Sequence, residues 1–120
     1  MKKKTMIIGV STRTDRYANK AAHRLTFTGH PIINIGIHKG IVAGVPIETA
    51  DVPHRDVHTI TLYINPDKQV YYYDYILRTQ PKRIIFNPGT ENPILKEKAE
   101  QAGIETIEAC TLVMLATNQF

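Results

Sequence analysis

Arg13 and Arg16 lie in the polar segment Ser11-Thr12-Arg13-Thr14-Asp15-Arg16, between the apolar run Thr5-Met6-Ile7-Ile8-Gly9-Val10 and a helical pattern that opens at Tyr17. A guanidinium grips phosphate oxygens bidentately, whereas a lysine adds a point charge. Strand, tight turn and helix start, in that order, also bring free backbone N–H groups and the positive end of a helix dipole to the strand's carboxyl end. The segment therefore predicts an anion site, for a nucleotide, built on Gly9, Ser11, Arg13 and Arg16. The alternative is that both arginines are solvated loop residues, and spacing alone does not separate the two.

Other reactive side chains are scattered. Of the five histidines, His23 falls in the first helix, His30 precedes a strand, His54 lies in a loop and His58 opens a strand. None has an evident partner, and surface or structural roles are expected; only His38, beside Lys39 in Ile37-His38-Lys39-Gly40, falls where a ligand is expected. Cys110 is the single cysteine, so an internal disulfide and a multi-cysteine metal site are excluded. Near a helix start its thiol would be activated and open to a mixed disulfide; the plainer reading is a small buried apolar residue. The run Tyr71-Tyr72-Tyr73-Asp74-Tyr75 radiates to several faces of a helix, which suits sheet cover or a subunit contact better than base stacking.

Five apolar runs must position these groups: Thr5 to Val10, Pro31 to Ile35, His58 to Ile64, Arg83 to Asn87 and Glu105 to Glu108. Most are apolar and β-branched enough to be covered on both faces, as in a parallel sheet. The third alternates more and is expected nearer an edge. Between them, Tyr17 to Thr28 is closed by Gly29, Pro66 to Thr79 is opened by Asn65 and Pro66, and Glu91 to Ala102 is closed by Gly103, so each reads as a helix. Cys110 to Ala116 reads as a shorter one. Residues 37–57 hold no clear helix; Val42-Ala43-Gly44-Val45-Pro46 reads as a turn or small extended excursion, and Asp51-Val52-Pro53 as one helical turn. The pattern predicts a single α/β domain, a doubly wound, mostly parallel five-stranded sheet with helices on both faces, of Rossmann-like form.

Ligands of such sheets sit beyond the carboxyl ends of the strands. There the first two loops are cationic, and the loops holding Asn65, Pro88, Gly89, Thr90 and Asn92 are neutral. The dinucleotide fingerprint G-x-G-x-x-G is absent, since Gly9 has no glycine partner in its loop, which speaks against NAD or FAD. The net charge of +4 at first invites nucleic acid, but Lys2, Lys3 and Lys4 carry three of those charges on a terminus expected to fray, so no nucleic-acid partner is expected. No apolar run approaches the roughly 18 to 20 residues of a membrane span, and no signal peptide is expected, so the reading is cytoplasmic.

Gly9-Val10-Ser11 with Arg16, Ala43-Gly44-Val45-Pro46, Asn87-Pro88-Gly89-Thr90-Glu91-Asn92, and Ala102-Gly103-Ile104 followed by Glu108-Ala109-Cys110 resemble, in order and over nearly the whole chain, the small stand-alone CoA-binding proteins. Those are similar to the CoA-binding domain of the succinyl-CoA synthetase alpha subunit. The resemblance implies coenzyme A held across the first crevices. Ser11 and the turn to Arg16 would meet its phosphates, Lys39 would approach a phosphate of the 3′-phosphoadenosine part, and Tyr63, Ile64 and Asn65 would flank the adenine. The chain departs from the family at Thr14, where a proline is common, and at Gly36-Ile37, where Asn-Pro is common. The synthetase's active histidine belongs to a further domain, so the implied function is binding of CoA or an acyl-CoA without catalysis. The alternative is an enzyme acting on a CoA thioester or phosphorylated nucleotide through His38 or Cys110. A homodimer is compatible with an exposed edge at the third strand, His58 to Ile64, or with the tyrosine helix.

Overall fold

The computed structural model describes residues 2–120. Its elements are β1 (Thr5–Ile8), α1 (Tyr17–Phe27), β2 (Ile32–Ile35), β3 (Ile41–Val42), β4 (Val45–Glu48), β5 (Thr59–Leu62), α2 (Pro66–Gln69), a 3₁₀ turn (Val70–Tyr72), α3 (Tyr73–Thr79), β6 (Arg83–Phe86), α4 (Pro93–Gln101), β7 (Glu105–Glu108) and α5 (Thr111–Ala116). The strands form one sheet in the order β3-β4-β2-β1-β5-β6-β7, parallel throughout except for the antiparallel β3–β4 pair. The Rossmann-like α/β architecture is the expected one, but the sheet has seven strands rather than five.

The two additional strands come from residues 41–48, the segment without a helical pattern. Ala43 and Gly44 take φ of 53° and 78°, the two positive values a tight hairpin turn needs, so Ile41–Val42 folds back on Val45–Glu48. β4 then adds parallel to β2, with Asn34 opposite Ile47 and Ile35 opposite Glu48. Inside the sheet, Asn34 Nδ2 donates to the carbonyls of Val42 (3.0 Å) and Val45 (3.1 Å), tying the hairpin to β2 from within.

β5 corrects a second expectation. It is not near an edge but pairs with β1 on one side and β6 on the other, fully buried. Its alternating threonines are tolerated there because their hydroxyls are satisfied. Thr59 Oγ1 accepts from Arg83 Nε at 2.8 Å, and Thr61 Oγ1 bonds Thr111 Oγ1 at 2.8 Å and Asn87 Nδ2 at 2.7 Å.

The core splits by sheet face. Met6, Ile8, Ile35, Ile60, Leu62, Ile84 and Phe86 pack under α3 and α4, through Tyr75, Ile76, Leu95 and Ala99. Ile7, Val10 and Val42 pack under α1 through Ala18, Ala22 and Leu25, with Leu115 of α5 at the margin. Helices thus cover both faces. The helix expected over Pro66 to Thr79 is broken into α2, the 3₁₀ turn and α3, because Tyr72 at φ −111°, ψ 0° interrupts the α-ladder within the bulky tyrosine run. Asp51-Val52-Pro53 forms no helical turn beyond a long 3.4 Å Val52 N–H to Thr49 carbonyl contact.

The amino-terminal lysines are hydrogen-bonded to the rest of the fold. Lys2 Nζ donates to the Thr28 carbonyl at 2.7 Å, at the carboxyl end of α1, and Lys4 Nζ to the Arg55 carbonyl at 2.8 Å, while Lys3 Nζ donates to the Phe120 carbonyl. Each ammonium serves a backbone oxygen at the amino-end side of the sheet, opposite the strand ends where a ligand is expected.

Candidate functional site

The chain leaves β1 toward β2 on one side and later returns to β5 on the other, so the strand order reverses between β1 and β5. At such a switch point the loops after the two strands diverge to opposite faces and open a crevice. A cleft of about 640 Å³ lies there, within the roughly 300–1,000 Å³ of sites that hold small molecules and cofactors.

Its floor depends on Gly9. This residue has φ +98°, and a Cβ built on it would lie 2.7 Å from Ile64 Cγ2 and 3.0 Å from the Tyr63 carbonyl oxygen. Only glycine lets the β1 and β5 loops approach this closely. The next loop is held by its own hydrogen bonds: Arg13 N–H donates to Ser11 Oγ at 3.1 Å, and Asn19 Nδ2 of α1 donates to the Ser11 carbonyl at 2.8 Å.

Arg16, Tyr17 and Ala18, the N-cap and first turn of α1, border the cleft. Arg16 provides no side-chain cap, and the first turn carries no acidic residue. Two other helices at this end are capped by their own N-cap side chains: Asn65 Oδ1 accepts from Lys68 N–H of α2 at 3.1 Å, and Asn92 Oδ1 accepts from Ile94 N–H (3.0 Å) and Leu95 N–H (3.2 Å) of α4, while the first N–H of α5 is met by Asn87 rather than by its N-cap Cys110. The α1 terminus thus offers the cleft a partial positive charge that no protein side chain answers. Arg13 pairs with Asp15 at 3.0 Å on the surface; among the described residues Arg16 has no carboxylate within ion-pair distance.

The wall formed by the loop after β6 carries no charge and is cross-linked from behind. Asn87 Nδ2 donates to Thr61 Oγ1 and to the Leu62 carbonyl (2.8 Å), and its Oδ1 accepts from Thr111 N–H at 2.9 Å. Thr90 Oγ1 donates to the Asn87 carbonyl at 2.8 Å, closing the Asn87-Pro88-Gly89-Thr90 turn. Tyr63 lies with its hydroxyl buried and unpartnered. Burial pushes that phenol up to about 12, against the pull of the nearby Thr111 and Thr61 hydroxyls, so it stays neutral at any physiological pH.

Of the residues expected from sequence, Gly9, Ser11, Arg13, Arg16, Tyr63, Ile64 and Asn65 line one cleft. Lys39 does not line it, although its neighbour His38 does. Cys110 also stands outside the lining, half-buried, as the N-cap of the short α5. Tyr17 and Lys68, not among the expected residues, line the cleft as well. Lys68 had a signal, since the cap at Asn65 with Pro66 after it places Lys68 in a first turn at a strand's carboxyl end. Tyr72, assigned with the tyrosine run to sheet cover or a subunit contact, also lines the cleft, because the break after α2 sets its orientation. Among the described residues no group of three or more His, Cys, Asp or Glu is placed to hold a metal ion, and no helix is long and apolar enough to cross a membrane.

A doubly wound sheet with a cationic cleft at its switch point defines an α/β protein of the Rossmann-like class. Within that class the chain belongs to the CoA binding domain family, whose model matches residues 3–116. It is similar to an uncharacterized protein of known crystal structure, at 48% identity and a TM-score of 0.97, over 100% of this chain and 99% of that one. A Thermus thermophilus structure described as cell-free ID.343 matches at 15% identity and a TM-score of 0.85, over 99% of this chain and 91% of that one. A hypothetical protein from Pyrococcus horikoshii OT3 matches at 21% identity and 0.84, over 97% and 82%. The latter two share the fold. No curated protein matches the chain.

Proposed function

We propose that the protein binds coenzyme A or an acyl-CoA in the switch-point cleft, through its phosphates and adenine, and performs no chemistry on it. The observation that carries this reading is the amino terminus of α1, without a side-chain cap, opening on the cleft beside Arg16, which among the described residues has no carboxylate within ion-pair distance. Phosphates lie against that terminus, with Gly9 and Ser11 below and Arg13 and Arg16 at the sides. Tyr63, Ile64 and Asn65 flank the adenine. Lys39 stands outside the lining on the loop after β2, one residue beyond the cleft-lining His38, and would have to turn inward to meet the 3′-phosphate.

Isothermal titration with CoA, dephospho-CoA, acetyl-CoA, ATP and NAD tests it. The expected result is micromolar binding of CoA that weakens without the 3′-phosphate, and a loss of about tenfold in Arg16→Ala, as for one charge-assisted hydrogen bond. An arginine or lysine that meets the 3′-phosphate loses CoA affinity but not dephospho-CoA affinity; one that meets the pyrophosphate loses both equally. Binding of ATP or NAD as tight as that of CoA counts against the reading.

A second reading, an enzyme acting on a bound thioester, draws on the position of His38 in the lining. Turnover of acetyl-CoA that disappears in His38→Ala while CoA affinity persists would favour it. Cys110, away from the lining, has the weaker claim to a reactive role.

A further inference from the structure

We infer that Gln69 is a positioning residue that sets the width of the cleft, an inference that rests on the cleft being the ligand site. Gln69 lies at the end of α2 and is completely buried. Its Nε2 donates to the Ile64 carbonyl at 2.9 Å and to the Thr90 carbonyl at 2.7 Å. Ile64 belongs to the loop after β5 and Thr90 to the loop after β6, and both line the cleft. Among the described residues no backbone hydrogen bond joins these two loops directly. One carboxamide therefore spans them.

The carboxamide cannot turn over. Its Oε1 accepts from Asn92 Nδ2 at 3.0 Å, and that same Nδ2 donates to Tyr73 Oη at 2.8 Å while Asn92 Oδ1 caps α4. With Asn92 committed as donor, Gln69 must present its oxygen to Asn92 and both N–H groups to the two carbonyls. A glutamate would set a carboxylate against two carbonyl oxygens, and a methionine of the same length would leave both without this donor, the Thr90 oxygen buried and the Ile64 oxygen partly so. Asn65 and Lys68 ride on the same short helix, so a shift of Gln69 also moves the cleft wall that faces Arg16.

Gln69→Met is compared with Ile104→Ala, a core truncation just before β7 at the opposite end of the sheet. The expected result is that Gln69→Met weakens CoA about tenfold, the worth of one lost hydrogen bond, whereas Ile104→Ala binds within about twofold of the parent even when its Tm falls as far. Parental affinity in Gln69→Met, or an equal loss in Ile104→Ala, overturns the inference. Amide hydrogen exchange gives a readout that needs no ligand: Gln69→Met should speed exchange in residues 63–65 and 88–92 and leave β1 unchanged. Unchanged exchange in those loops overturns the strut. Faster exchange there in a protein whose parent does not bind CoA overturns the ligand reading and upholds the strut. Should Gln69→Met not fold, NMR of the parent decides: the Gln69 carboxamide protons should exchange at least a hundredfold more slowly than those of the exposed Gln101, and equal rates overturn the inference.

Discussion

Gly9 shows how much a single residue can fix when backbone conformation and packing coincide. Its φ of +98° is a left-handed value that any Cβ strains, and that Cβ would also meet Ile64 Cγ2 at 2.7 Å. Gly9→Ala is expected to cost about 1–3 kcal/mol of stability and to displace the β5 loop. Denaturant unfolding together with CoA titration checks both effects. Parental stability would mean that the loop after β1 relaxes freely. Residues of this kind were legible in the sequence as far as their place: a glycine at the end of an apolar run, followed by arginines before a helix start, marks a strand-to-helix turn, and Gly9, Arg13 and Arg16 do line one cleft. Gln69 was not legible. A glutamine in a helix carries no sequence mark of burial, and its partners Ile64, Thr90 and Asn92 come together only when α2 docks beside α4.

Among the elements, the five apolar runs declared themselves as strands, whereas residues 42–46 read as a turn or small extended excursion without showing that the flanking residues join the sheet as β3 and β4. β3 has only two residues, Ile41–Val42, too few to show an alternating period, and it is held by contacts with distant residues. The contact that matters is Asn34, entirely buried in β2, whose Nδ2 serves the carbonyls of Val42 and Val45. Asn34→Ala leaves two buried carbonyl oxygens without that donor and is expected to cost about 1–3 kcal/mol. Hydrogen exchange should rise first at residues 41–48, before the rest of the sheet loosens. Exchange rising uniformly would mean that the hairpin is held by its own turn instead. β5 failed as an edge prediction for the opposite reason: its threonines look polar in sequence, yet Asn87, Thr111 and Arg83 satisfy them inside the sheet.

Across the whole molecule the charge count was right and its placement was not. Lys2, Lys3 and Lys4 are pinned to carbonyls at the end of the sheet opposite the cleft, where Lys82, Arg83, His30 and His58 also gather. Both histidines also make a hydrogen bond at Nδ1. Lys3 N–H donates to His30 Nδ1 at 2.9 Å. Thr59 Oγ1, which accepts from Arg83 Nε, also shares a hydrogen bond with His58 Nδ1 at 2.7 Å. Desolvation lowers both pKa values below the ordinary 6.5; Lys2 and Lys3 lower His30 further, and Arg83, Lys3 and Lys82 lower His58 against a small opposing pull from Glu105. A histidine whose folded pKa is depressed takes up more protons when unfolded, so stability falls as pH drops below the unfolded value of about 6.5. Tm should therefore decline between pH 7 and 5.5, and less steeply in 0.5 M salt, where the surrounding cations are screened. Replacing both residues, His30→Gln with His58→Gln, should flatten the decline while leaving CoA affinity within about twofold of the parent, because the site lies at the other end of the sheet. A Tm that stays level or rises on acidification of the parent would mean that the two imidazoles protonate without resistance from the lysines and Arg83 around them.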